Sequence, residues 1–220
     1  MTFTLLARSG ALIGGATASK SLAAGNAVLA IDPAVGVVAS QAWTNRALRG
    51  RMLEALAEGS SATETVARID DWDDGAELRQ IAALPVSGRG AAYTGDGVST
   101  WAGSRLTTDA VALGNLLVGE HVVEAMMGSF EAAASAVDAA AFARAVVDAM
   151  RAGDDAGGDA RGRQSAALLV AQAGGEVVID LRVDDHPDPL AELARLVGLR
   201  AADLDRRAHD ALGGLSARRA

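Results

Sequence analysis

The order of apolar patterns along this chain constrains its fold more than any single motif does. Two apolar runs, Thr2–Ala7 and Ala11–Ala18, are separated only by Arg8-Ser9-Gly10. So short a connection admits only an antiparallel hairpin, because a parallel crossover takes a dozen residues or more. The β-branched run Ala34–Ser40 follows Asp32-Pro33 and reads as a buried strand. Leu48, Met52, Leu53 and Leu56 predict a helix over Trp43–Glu58 that Gly59 ends. The capping-box arrangement Ser61-Ala-Thr-Glu64 starts a second helix reaching Ile69. Leu78–Val86 and Gly90–Thr94 form a further hairpin around Ser87-Gly-Arg-Gly90, and Val111–Val118 is a strand bent at Gly114-Asn115.

Two amphipathic helices follow, Glu120–Ala134 and Ala139–Ala152, with apolar residues at three-to-four spacing that suits one sheet face. Gly153–Arg163 is glycine-rich and charged, hence a loop. Gln164–Ala171 and Glu176–Val183 flank Ala173-Gly-Gly175 as a last hairpin, and Pro189–Gly198 is a helix with proline at its start. Strands, then helices, then strands and a closing helix specify α+β layers, not alternating βαβ units. Two sheets between helices, a four-layer αββα sandwich, fit that order. The length suits one domain over residues 1–200, with 201–220 as a helical or frayed tail.

Half of the residues are hydrophobic but only 3% are aromatic, so Ala, Val and Leu must fill the core. The net charge of −8 gives no attraction toward phosphate backbones or anionic lipid, which argues against nucleic-acid and membrane-surface partners. No uncharged apolar run approaches the roughly 18 residues of a membrane span. Arg8–Ala18 loosely imitates a signal peptide but is short and glycine-rich. A cytoplasmic protein is expected. With no cysteine, disulfides, thiolate metal sites and a cysteine nucleophile drop out.

Thr2 is the first candidate for chemistry. Loss of Met1 leaves hydroxyl and α-amine on one residue, and an amine titrating near 7.7 to 8.0 can act as the hydroxyl's base. Lys20, the only lysine beside nineteen arginines, ends the second strand, where a desolvated ammonium would tune that hydroxyl. Asn115 is one amide in an apolar strand, suited to an oxyanion hole or to tying strands together. The loop Gly157–Ser165 crowds carboxylate, guanidinium, amide and hydroxyl. Asp159, Gln164 and Ser165 are candidates to orient an N-terminal amine, and Arg161 to grip a substrate carboxylate. Asp180–Leu190 gathers Asp180, Asp184, Asp185, Asp188 and His186, which suggests a metal or acid–base site, but Asp188 just ahead of Pro189 favours capping the next helix. The histidines have no ligand-like spacing, and no cofactor is indicated.

Several stretches resemble the bacterial and archaeal domain-of-unknown-function family 1028. They are Met1-Thr-Phe-Thr with Ala7-Arg8, Ala18-Ser-Lys20, Gly36–Gln41, Thr94-Gly95, Trp101-Ala-Gly103, Gly114-Asn115, Gly157–Val170 and Asp180–Pro189. That family is grouped with N-terminal-nucleophile (Ntn) hydrolases. The resemblance implies the αββα sandwich and amide-bond hydrolysis by an N-terminal threonine, serine or cysteine; a small-molecule amide is the substrate expected here. It adds Ser19 and Gln41 to Asp159, Arg161 and Gln164 as substrate-binding candidates, beside the catalytic set Thr2, Lys20, Asn115 and Ser165. The chain departs from the pattern at Asn45–Arg49, Val98 and Ser104, around an expected cleft wall. Its broad helical faces suit a homodimer. The alternative is a binding or assembly protein on the same scaffold, since a blocked α-amine cannot serve as a base.

Overall fold

The computed structural model describes residues 2–133 and 138–217. The chain opens with β1 (Thr2–Ser9) and β2 (Leu12–Ser19), the expected hairpin. It turns at Gly10, whose φ of 58° a residue without Cβ adopts freely. Next come α1 (Ala24–Val28), β3 (Leu29–Asp32) and β4 (Gly36–Ala42). Helices α2 (Ala47–Ala57), α3 (Ala62–Ala67) and α4 (Ile69–Trp72) follow, then β5 (Arg79–Pro85), β6 (Ala91–Thr94), β7 (Gly103–Leu106) and β8 (Ala110–Asn115). The chain ends with α5 (His121–Ala132), α6 (Ala139–Asp155), β9 (Ser165–Gln172), β10 (Val177–Val183) and α7 (Pro189–Ala217).

Two antiparallel sheets result, in the orders β10-β9-β2-β1-β8-β7 and β3-β4-β5-β6. Period-two alternation sorts each strand between layers. Phe3, Leu5, Ala16, Leu168 and Val170 face α5, α6 and α7, while Leu6, Ile13, Val111 and Leu113 meet Val37, Ala39, Ala82 and Leu84 between the sheets. Val38, Ile81 and Ala83 pack outward on Leu48, Met52 and Val66 of α2 and α3. The molecule is therefore the four-layer αββα sandwich. Among the described residues no helix is long and apolar enough to cross a membrane.

Close layers depend on small residues. Gly14 of β2 lies under Phe142 of α6, and a Cβ there would stand 3.2 Å from the Phe142 ring and collide with the Leu169 carbonyl of β9. Gly14→Ala should therefore destabilise the protein by about 2 to 3 kcal/mol, read as a lower urea midpoint. An unchanged midpoint would show that β2 and β9 separate freely.

Several differences from the sequence reading have physical causes. α1 and β3 were not expected, because five and four residues are too short to show a period. β7 escaped because it is a largely exposed edge without apolar alternation. α2 begins at Ala47 and not Trp43, since Trp43 N–H still bonds the Leu78 carbonyl beside the strand end. α6 runs to Asp155 because Gly153 admits Met126 against the helix. β8 stops at Asn115, where Leu116 takes a left-handed φ of 54° and ends the ladder. α7 continues past Gly198 through Ala217; Ala134, the expected end of the first amphipathic helix, lies outside the described residues, as do Met1 and residues 218–220.

Candidate functional site

Strand register builds the site. Thr2 on β1 stands opposite Ser19 on β2 and Asn115 on β8, and Ser19 stands opposite Ser165 on β9. Directly opposed residues share a face, so Ser165, Ser19, Thr2 and Asn115 form one polar row across four strands. The row faces the other sheet, on the same side as Leu6, Ile13 and Leu113. Along the strands, the layer between the sheets thus changes from apolar to polar toward the start of β1. The Thr2 hydroxyl donates to Ser19 Oγ at 3.2 Å, and Thr2 is 6% exposed.

A buried network joins this row to the second sheet. Thr4 Oγ1 donates to Gln41 Oε1 at 2.6 Å and lies 2.8 Å from Thr17 Oγ1. Gln41 Nε2 donates to the Thr2 carbonyl at 3.3 Å and to Gln80 Oε1 at 2.7 Å. Asn115 Nδ2 donates to the same Gln80 oxygen at 2.9 Å. Gln80 Nε2 in turn shares its two hydrogens among the Gly114 carbonyl, Thr94 Oγ1 and the Gly103 carbonyl. Partnered amides such as Gln41 and Gln80 stiffen a core that half-satisfied ones would weaken.

Beside Asn115 opens a cleft of about 230 Å³, walled by Ala42, Trp43, Val98, Asn115, Leu116 and Arg161. Ala42 and Leu116 both hold left-handed backbones, φ 67° and 54°, which end β4 and β8 and turn both chains at the cleft. Strain at non-glycine residues is characteristic of functional sites. An amide nitrogen carries two hydrogens; Asn115 gives one to Gln80, and the residue still borders the cleft.

The other candidates disperse around this centre. Lys20 is exposed at the corner after β2, and its backbone N–H donates to Asp159 Oδ2 at 3.2 Å. The Thr2 hydroxyl meets Ser19, where the tuning ammonium of Lys20 was expected. Asp159 is buried beneath Arg161: its Oδ1 accepts the Arg161 N–H at 2.7 Å and its Oδ2 lies 3.4 Å from the guanidinium. Ser165 Oγ donates to the Ser21 carbonyl and accepts Ala24 N–H, so it braces the turn into α1, not a terminal amine. Gln164 Nε2 reaches Asp185. Gln41 is sealed inside, holding Thr2 from below. In the acidic run, His186 Nδ1 accepts Asp188 N–H, and Asp188 Oδ1 accepts Ala191 N–H in the first turn of α7, the capping alternative.

Gln80, Thr4, Thr17 and Trp43 were not among the candidates. Gln80 gave the same signal as Asn115, one amide inside an apolar strand. Trp43 owes its position to Arg79, which donates to the Trp43 carbonyl at 2.6 Å and to both Asp73 oxygens. Arg79, then Asn45 and Gly75 N–H, hold the Asp73 carboxyl well below the usual carboxylate range against the opposing effect of its burial. A depressed folded pKa contributes stability that is complete above the unfolded value near 3.9 and lost as pH falls below it. Asp73→Asn should cost about 2 kcal/mol at pH 7, and the gap should narrow steadily below pH 4. Urea unfolding at pH 7 and pH 3 checks this; a gap independent of pH would show that charge is not its source.

No curated protein matches the chain. The crystal structure of a protein from Silicibacter pomeroyi is similar at 33% identity and a TM-score of 0.79, covering 89% of this chain and 87% of that one. Structures of Anbu, the ancestral beta-subunit, from Yersinia bercovieri and Hyphomicrobium sp. strain MC1 cover 93% and 94% of this chain and 97% of each of theirs. They do so at 11% and 12% identity, with TM-scores of 0.47 and 0.45. The model of the family of unknown function DUF1028 matches residues 2–193, and the chain belongs to that family.

Proposed function

We propose that the protein is an Ntn-type amidohydrolase in which Thr2, freed by removal of Met1, attacks a small amide. The Thr2 hydroxyl proton passes to its α-amine as Oγ1 bonds the carbonyl carbon. The C–N bond then breaks, the leaving amine takes that proton, and water hydrolyses the remaining ester. The position of Thr2 carries this reading: it begins β1 in a polar row between Ser19 and Asn115, and Asn115 borders an open cleft. Asn115 is the oxyanion donor, steadied by Gln80. Ser19 fixes the hydroxyl, Gln41 fixes the Thr2 carbonyl, and Asp159 and Gln164 shape the loop that presents Arg161 to substrate. Ser165 supports the row from the turn into α1. Lys20 acts on the hydroxyl through its field from the exposed corner, and the cytoplasm and a homodimer are the expected setting.

The exposure of Lys20, with the Thr2 hydroxyl bonded to Ser19, favours the second reading, a binding or assembly protein without catalysis. Intact mass decides first: Met1 kept in every preparation supports that second reading. Covalent capture by a β-lactone probe, with the adduct mapped to residue 2, supports the first.

A further inference from the structure

We infer that the cleft beside Asn115 binds a compact anionic amide, its carboxylate on Arg161 and its flat apolar part on Trp43. The inference takes from the proposed function only that an amide is the reacting group; the binding argument stands on the walls of the cleft.

Charge is the first part. The chain carries a net charge of −8, so its general field repels an anion. Among the described residues, Arg161 is the charged side chain that lines this cleft. Its partner Asp159 is sealed away, with a side chain 1% exposed against 46% for Arg161. The Asp159 carboxylate also accepts the backbone N–H groups of Lys20 and Arg161. It therefore holds the guanidinium from the buried side, while the Arg161 side chain as a whole is nearly half exposed. A planar guanidinium at a cleft wall favours a carboxylate over a neutral group.

The second part is the opposite chemistry of the other walls. Trp43 is 67% exposed, an unusual state for so large a ring, and its backbone is pinned by Arg79. Val98, Leu116 and Ala42 supply apolar surface beside it. A held but uncovered indole next to such surface is a stacking platform for a planar group. Size is the third part: about 230 Å³ is below the range of roughly 300 to 1,000 Å³ for sites of drug-sized ligands. An N-aroyl or N-acyl amino acid has the required parts, with a flat or apolar acyl group, one amide and a carboxylate.

The test uses the full chain with Thr2→Ala, so that binding is read without turnover, and titrates benzoylglycine and its neutral carboxamide by calorimetry. Benzoylglycine should bind at least about tenfold more tightly than the carboxamide. Arg161→Gln in the same background should abolish that preference, and Trp43→Ala should weaken both ligands by about tenfold. Circular dichroism confirms that each variant is folded. Equal affinity for the two ligands, binding of neither, or a preference surviving Arg161→Gln overturns the inference. Mass spectrometry of the unsubstituted protein separates it from the catalytic reading. Selective binding of benzoylglycine without release of benzoate and glycine supports this site and counts against Thr2 chemistry. Hydrolysis confined to neutral amides does the reverse.

Discussion

With Thr2 as the proposed nucleophile, Thr2→Ala should abolish covalent capture by a β-lactone and lower amide hydrolysis by on the order of a thousandfold or more, while the protein stays folded. The size of the effect follows from the chemistry assigned to one atom. If Oγ1 is the nucleophile, no neighbouring hydroxyl replaces it. Ser19 lies within the chain and has no α-amine of its own to take its proton, and Ser165 is bound on both sides by the turn into α1. The structural effect is small by comparison. The substitution deletes one buried hydroxyl pair and a methyl group, worth about 1 to 2 kcal/mol. The backbone of β1 keeps its pairing with β2 and β8. Labelling that survives the substitution, at residue 2 or elsewhere, rejects Thr2 as the nucleophile.

Gln80→Leu should destabilise the fold by about 4 kcal/mol, several times the effect of removing an exposed amide. Gln80 is fully buried, and its oxygen accepts from both Gln41 and Asn115 while its nitrogen serves Gly114, Gly103 and Thr94. Leucine leaves two buried N–H donors and up to three acceptors without their partner. Each such group costs about 1 to 3 kcal/mol when water cannot reach it, and the sum is reduced by relaxation. Gln164→Leu is the internal comparison. Its amide bonds Asp185 at the surface, so the change should stay within about 0.5 kcal/mol. Urea midpoints of the two variants test the contrast. A Gln80→Leu loss below about 1 kcal/mol would mean that the polar end of the sandwich is already wet.

The same contrast explains which site residues were legible beforehand. Thr2, Asn115 and Ser165 stood out as polar residues at strand ends or inside apolar runs, and they do share a row. Gln41 entered through family resemblance, and its partner Gln80 was passed over although both lie in apolar strands. Nothing in a strand's own sequence says which amide will face which across a sheet interface. Lys20 stood out as the sole lysine, but rarity in composition carries no direction in space. The Asp180–Leu190 run offered two roles, and the N–H groups at the start of α7 match capping.

The sequence by itself determined what depends on near neighbours: the first hairpin with Gly10 at its turn, the Ser61–Glu64 capping box, helices at three-to-four spacing, and hence a layered α+β fold. These follow from local periodicity and from backbone preferences that act within a few residues. Tertiary structure alone decided that Ser165, Ser19, Thr2 and Asn115 line up, that Gln41 and Gln80 tie that row to the second sheet, and that Arg161 and Trp43 share a cleft. The reason is the order of strands. β9 and β8 reach β2 and β1 only after long stretches of intervening chain, and side chains so far apart in sequence acquire a common face only through the register that pairs their strands.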